Sequence, residues 1–269
     1  MSRAGNGRYG TGPFPHTRDT GNTRGTGNTR GETPHGEAPG SRRAWGEQSR
    51  RVPSQGGPPE GQVVVVAREP VPGKVKTRLI PPFTAREAAA LAAAALEDTL
   101  RAVARVPVDR RVLALDGVPG PWLPHGFTVL PQCGDAPDER LAAAFGDAHR
   151  LLPVPVVLIG ADTPQITPDM LAYALSMLSA YDAVFGPAED GGFWLLGLRA
   201  PDPALLLGVP ISEPTAGEVQ LRRLGEAGLS VALMPRLTDV GTAADAFVVA
   251  AQAPRSFFAA ALARMSALR

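Results

Sequence analysis

From Gln62 onward the chain alternates short apolar runs with longer stretches rich in alanine and leucine. QVVVVA (62–67) is unbroken apolar sequence, the pattern of a strand buried on both faces. TAREAAALAAAALEDTLRAVARV (84–106) predicts a long helix, with Thr84 as N-cap and Glu87 three residues on, a capping-box pattern. RRVLAL (110–115) and FTVLP (127–131) predict strands, 138–152 a helix, and PVVLIG (155–160) another buried strand. Thr167 opens a helix running to Ala180, with Pro168 at its first position. DAVFGPA (182–188) and GFWLLGL (192–198) predict strands, and Thr215 to Ala227 a helix ended by Gly228. SVALMP (230–235) is a late strand, and the chain closes in helices broken near Pro254. Strands separated by such helices imply right-handed crossovers and an α/β fold with a mainly parallel sheet, covered on both faces. Ligands of such sheets bind beyond the carboxyl ends of the strands, so the residues just after each buried strand are the informative ones.

Residues 1–60 follow no such pattern. They are rich in Gly, Arg, Thr, Pro and Ser, nearly free of Leu, Ile and Val, and repeat TGNTRG in tandem over 20–31. A segment of this kind cannot bury enough apolar area to offset its chain entropy, which predicts disorder. Its nine arginines against five acidic residues leave it at +4 and the remainder at −3. This is a dispensable extension, a start assigned too early, or a weak nucleic-acid or partner arm. The expected organisation is therefore a tail over 1–60, one α/β domain over 61–252 and a C-terminal helix over 253–269.

Over the whole 269 residues the net charge is only +1, so no general attraction to nucleic acid or to an anionic membrane is expected. Any electrostatic function must be local. Cys133 is the one cysteine, which excludes an internal disulfide framework and a cysteine-based zinc site. No run of about 18 apolar residues exists, and the N-terminus lacks the apolar stretch of a secretory signal. The expected setting is a reducing cytoplasm.

Local chemistry gathers at the strand ends. After the first strand comes REPVPGKVKTRL (68–79), where Pro70, Pro72 and Gly73 stiffen and turn a loop carrying Lys74, Lys76 and Arg78. Lysines act as point charges on phosphate, and arginine grips it bidentately. The loop is not a P-loop, since that pattern needs glycine where Arg68 stands and a hydroxyl residue where Val75 stands. It reads as a polyphosphate cradle or, more blandly, as a solvated basic loop. GADTP (160–164) puts Asp162 after the fourth buried strand, where a carboxylate suits Mg²⁺ or Mn²⁺; it also suits a turn or N-cap. GPAEDGGFWLLG (186–197) sets Asp190 before Gly191 and Gly192, which permit close backbone approach to a ligand. The same residues read equally as an Asp-Gly hairpin turn between two strands. TDVGTAAD (238–245) follows the late strand and offers Asp239 and Asp245. His125 and His149 lack any motif context, so no Ser-His-Asp arrangement can be built and nucleophilic hydrolysis is disfavoured.

The stretches AREPVPGKVKTRL, DERLAAAF, LIGADTPQITPDML, DAVFGPAEDGGFWLLGL and DVGTAAD occur in one order across about 62–250. In this they resemble the glycosyltransferase-like proteins called radical-SAM/selenodomain-associated transferase 1. Those look like distant relatives of 2-phospho-L-lactate guanylyltransferase within the GT-A-type nucleotide-diphospho-sugar transferases. The resemblance implies a three-layer, Rossmann-like α/β/α fold. It implies nucleotide-binding roles for Arg68, Gly73, Lys74, Lys76, Arg78, Gly191 and Gly192. It also implies catalytic roles for Asp162 and Asp190, and metal contacts from Asp162 and Asp239 to Mg²⁺ or Mn²⁺. The family pattern Asp-Val-Asp-Thr-Pro-x-Asp is altered here, with Gly241 for its second aspartate and Ala243 for its proline. Asp138 likewise replaces the glycine of a Leu-Gly-Glu-Arg segment.

Three functions follow from this reading. One is transfer of a glycosyl group from a nucleotide-diphospho sugar to a small-molecule acceptor. The second is nucleotidyl transfer from a nucleoside triphosphate to a small phosphorylated acid, which Gly241 disfavours because that chemistry usually uses a second metal carboxylate. The third is nucleotide binding without turnover. No nucleic-acid or membrane partner is expected.

Overall fold

A computed structural model describes residues 60–267, and all but the last residue of the expected tail lies outside the described residues. The strands are β1 (Gln62–Arg68), β2 (Arg110–Asp116), β3 (Thr128–Pro131), β4 (Val156–Gly160), β5 (Ala183–Pro187), β6 (Phe193–Leu198) and β7 (Val231–Leu233). The helices are α1 (Ala85–Ala104), α2 (Pro137–Leu151), α3 (Pro168–Met177), α4 (Ala216–Glu226), α5 (Ala243–Gln252) and α6 (Phe257–Ser266). One sheet carries all seven strands in the order β3-β2-β1-β4-β6-β5-β7. Only β6 runs against its neighbours. Residues 188–192 between β5 and β6 are too few for a crossover, so that connection is a hairpin.

Alternate residues of the central strands feed opposite faces. Val63, Val65 and Ala67 pack with Leu96, Leu100 and Val103 of α1 and with Leu171 and Leu175 of α3. Val64, Val112 and Ala114 pack on the other face with Phe145 and Ala148 of α2 and Leu224 of α4. Three layers result. A third cluster joins Leu79 and Phe83 to Ala88, Leu91 and Ala95 of α1, to α5 and to Phe258, Ala261 and Leu262 of α6. The alanines of α1 let these partners approach closely, so one helix serves two cores. The C-terminal helix is tied in further by Asp98, which accepts the Phe257 and Phe258 amides at 2.9 and 2.8 Å.

The expected element ends hold with two informative differences. Helix α3 stops at Met177 because residues 178–180 close with i→i+3 bonds, a tightening common at helix ends. Strand β7 stops at Leu233, two residues before Pro235, which cannot donate to a ladder.

Candidate functional site

Four loops meet at the carboxyl edge of the sheet: 69–76 after β1, 161–167 after β4, 188–192 after β5 and 234–242 after β7. The first is a chain of local turns, with the Val71 amide bonded to the Glu69 carbonyl and the Lys74 amide to that of Val71. It ends at Lys76, whose φ of 50° and ψ of 37° lie in the left-handed region. Lys76 is the only non-glycine residue with positive φ among the described residues. Such a backbone costs roughly 1 kcal/mol or more and is kept where the surroundings over-determine it, often at functional sites. Next comes a short 3-10 turn (Thr77–Leu79), anchored by the fully buried Leu79.

What over-determines Lys76 is its ammonium. Nζ lies 2.8 Å from Asp162 Oδ1 and donates to the Val240 carbonyl at 2.6 Å. The Val240 amide donates in turn to the Asp162 carbonyl at 2.8 Å, so the loops after β4 and β7 are bonded to each other and to the lysine. The Lys76 side chain is 13% exposed, while Asp162 is 54% exposed. Beside it, Thr163 is buried and its hydroxyl has no partner among the described residues.

Asp239 and Arg78 complete the group around Gly241. A Cβ on Gly241 would lie 3.2 Å from Arg78 Nη2, 3.3 Å from Asp245 Oδ2 and 3.5 Å from Asp239 Oδ2. Asp245 is committed to the helix, accepting from the Thr242 amide and hydroxyl at 2.7 Å each in a capping box for α5. Burial and the nearby Asp190 carboxylate push the Asp239 carboxyl above its ordinary value; Asp162 adds to this and the Lys76 ammonium opposes it. The site is therefore an acidic rim with one ammonium held inside it. Lys74 and Arg78 are exposed and form no ion pair among the described residues.

The remaining candidates are placed differently. Arg68 points to Asp116, across the paired ends of β1 and β2, at 3.5 Å, and Arg140 reaches the same carboxylate at 3.4 Å. Gly73 turns the loop at φ 80°. Asp190 is exposed and accepts the Gly192 amide at 2.9 Å, closing the hairpin turn. The two glycines face protein. A Cβ on Gly191 would meet the Pro214 carbonyl oxygen at 1.9 Å, and Gly192 lies so close that a Cβ on Gly217 would meet its oxygen at 2.6 Å. The lack of side chains at Gly191 and Gly217 seats the start of α4 under the hairpin. Asp138 accepts the Gly208 amide at 2.7 Å, tying α2 to the loop before α4.

Sequence reasoning missed the Val240 carbonyl, a main-chain group that leaves no side-chain signal. It also missed Gln132, whose Nε2 donates to the carbonyls of Ala67 and Ala114 at 2.7 and 3.0 Å and clamps the ends of β1 and β2. A cavity of about 450 Å³ lies elsewhere, along α2, lined by Cys133, Glu139, Ala142, Arg150 and Leu207 and by no residue of the rim.

No three His, Cys, Asp or Glu side chains among the described residues converge to cage a metal on their own. The donors that are present, carboxylates of Asp162 and Asp239 and the Val240 carbonyl, are hard oxygens of the kind Mg²⁺ and Mn²⁺ take. They fit a divalent ion as part of its shell, the rest coming from ligand oxygens.

Residues 89–213 match the family described as uncharacterized proteins conserved in bacteria (DUF2064). A protein of Desulfovibrio desulfuricans G20, provisionally described as a nucleotide-diphospho-sugar transferase, is 30% identical, with a TM-score of 0.69 over 77% of this chain and 96% of its own. CMP:2-keto-3-deoxy-manno-octonic acid synthetase in complex with CTP is 15% identical, with a TM-score of 0.46 over 72% of this chain and 99% of its own. Rv0371C of Mycobacterium tuberculosis H37Rv in complex with manganese is 19% identical, with a TM-score of 0.41 over 71% of this chain and 97% of its own. Likenesses as weak as the last two carry no function. No curated protein sequence matches. By the first likeness and the family match together, the chain belongs to the DUF2064 family, with the α/β fold of a nucleotide-diphospho-sugar transferase.

Proposed function

We propose that the chain is a nucleotide-dependent transferase that takes a nucleotide-diphospho sugar and passes its glycosyl group to a small acceptor. The observation that carries this reading is the Lys76 ammonium held at the sheet's carboxyl edge between Asp162 and Val240, flanked by Lys74 and Arg78, which are exposed and form no ion pair among the described residues. That edge is where α/β sheets bind ligands. The 30%-identical relative, 96% of whose length is covered, supports the donor class.

In this reading Lys74, Lys76 and Arg78 hold the diphosphate and offset the charge that grows on the leaving nucleoside diphosphate as its bond to the sugar breaks. Asp190, exposed on the rim, takes the proton of the acceptor hydroxyl as the new glycosidic bond forms. Asp162 and Asp239 would hold a divalent ion, which supplies Lewis-acid stabilisation of the same leaving group.

A thermal-shift series with nucleoside diphosphates, nucleoside triphosphates and sugar nucleotides, each with and without Mn²⁺, tests the proposal. Sugar nucleotides and diphosphates should raise the melting temperature of the parent far more than that of Lys76→Ala. Release of free nucleoside diphosphate identifies glycosyl transfer; release of pyrophosphate from triphosphates would make the chain a nucleotidyltransferase instead. If no nucleotide shifts the parent, the reading is wrong.

A further inference from the structure

A lysine ammonium and a hard divalent ion seek the same partners, and Lys76 already has two of them. Its Nζ sits between a carboxylate oxygen at 2.8 Å and a main-chain carbonyl oxygen at 2.6 Å. Both are donors that Mg²⁺ or Mn²⁺ would use. An ammonium offers three hydrogen bonds, so one remains for an incoming anion. The surrounding acids are otherwise uncompensated: Asp190 and Asp239 form no ion pair among the described residues. Removing Lys76 from Asp162 would leave Asp162 and Asp239 without the cation that faces both. A four-carbon stem lets the ammonium move by several ångströms while its backbone stays fixed.

We propose that Lys76 is an electrostatic latch: in the ligand-free protein its ammonium occupies the cation position between Asp162 and Val240, and a divalent ion binds there once an anionic ligand draws Lys76 away. The proposal rests on the nucleotide-transferase reading for the identity of that anion. It makes metal and nucleotide binding mutually reinforcing, since each favours the state the other needs, by equal factors in both directions. Gly241 serves the same end. With no side chain there, Arg78 stays open to receive the phosphate that Lys76 joins.

The test is Mn²⁺ titration, followed by the free-ion paramagnetic resonance signal, on the full-length parent and on Lys76→Met. Without nucleotide the parent should bind Mn²⁺ weakly. Lys76→Met should bind it at least about tenfold tighter, the scale of one charge-assisted hydrogen bond. Lys76→Arg, which keeps the cation, should stay near the parent, and adding Asp162→Asn to Lys76→Met should abolish the gain. Circular dichroism checks that each variant is folded, and Lys76→Gln replaces the methionine variant if that one is not. Equal Mn²⁺ affinity in parent and Lys76→Met overturns the latch, as does a gain that survives Asp162→Asn. Calorimetry with guanosine, uridine and cytidine diphosphates separates this from the functional reading. Nucleotide binding with no Mn²⁺ gain removes the latch and leaves the transferase; an Mn²⁺ gain with no nucleotide binding supports the latch and removes the transferase.

Discussion

At the scale of single residues, the site divides into groups that bind and groups that hold the binders in place. Lys76→Ala and Arg78→Ala should each weaken nucleoside diphosphate binding by about 1.5–3 kcal/mol, roughly ten- to a hundredfold, as measured by calorimetry. Gly241→Asp sharpens the distinction. The family's usual aspartate at this position suggests that restoring it would help a metal, but its Cβ would lie 3.2 Å from Arg78 Nη2 and near two carboxylates. We expect the new carboxylate to pair with Arg78 and weaken nucleotide binding about as much as Arg78→Ala does. Asp239→Asn tests the electrostatics. Its carboxyl is raised above the ordinary value of 3.8 by burial and by Asp190, so ionised Asp239 is a net cost to the fold. Its stabilising contribution is full below pH 3.8 and is lost as pH rises through the folded value. Asp239→Asn should thus raise the melting temperature at pH 7, and the gain should shrink as pH falls towards 4. That Lys76, Arg78 and Asp162 lie at the sheet's carboxyl edge was legible from their places after buried strands. The Val240 carbonyl to which Lys76 donates was not, because only folding brings a main-chain oxygen from 164 residues away.

Among elements, the hairpin between β5 and β6 shows that one sequence signal can also serve packing. The Asp190-Gly191-Gly192 run was open to both readings, and contact with Pro214 gives Gly191 a packing reason of its own. Gly191 sits at φ 89°, and a Cβ there would overlap the Pro214 carbonyl at 1.9 Å. Gly191→Ala should therefore cost about 2 kcal/mol or more in chemical denaturation, with or without nucleotide, because strain and overlap combine. Helix starts were legible for a physical reason: a cap is a local hydrogen bond between residues three apart, and Thr84 with Glu87 forms one as expected. The reversal of β6 was legible only as a short connection, and pairing partners such as β6 beside β4 depend on contacts distant in sequence. The docking of α6 depends likewise on Asp98, which no local pattern singles out. Asp98→Ala should speed hydrogen exchange at the Phe257 and Phe258 amides and cost about 1 kcal/mol, the usual worth of a helix cap.

For the molecule as a whole, the sheet has a chemical polarity that separates binding from stability. Its carboxyl edge carries the strained Lys76 and the acidic rim, while the opposite edge is laced by satisfied bonds. There Asp109 accepts the Gly61 amide at 2.8 Å. Asp182 joins three strands, accepting from the Ser230 amide at 2.9 Å at the start of β7 and from Arg199 at the end of β6. Hydrogen bonds from the Ser230 hydroxyl and amide, aided by Arg199, hold the Asp182 carboxyl down to about 2 from its ordinary 3.8. A depressed carboxyl stabilises the fold above its unfolded value, and that contribution is lost as pH falls through the folded one. The window is thus from pH 3.8 down to about 2. Asp182→Ala should lower the melting temperature at neutral pH, with the difference from the parent closing across that window. Nucleotide affinity should not change, since the two edges share no side-chain partner. Lys76→Ala should do the reverse, weakening ligand binding with little thermal penalty, because an ion pair to the half-exposed Asp162 carboxylate adds little to the fold. In the double variant both losses should appear in full, as expected for distant independent sites. An affinity loss larger than that of Lys76→Ala alone would show that the strand-start bonds help to position the cradle, and the separation of the two edges would fail.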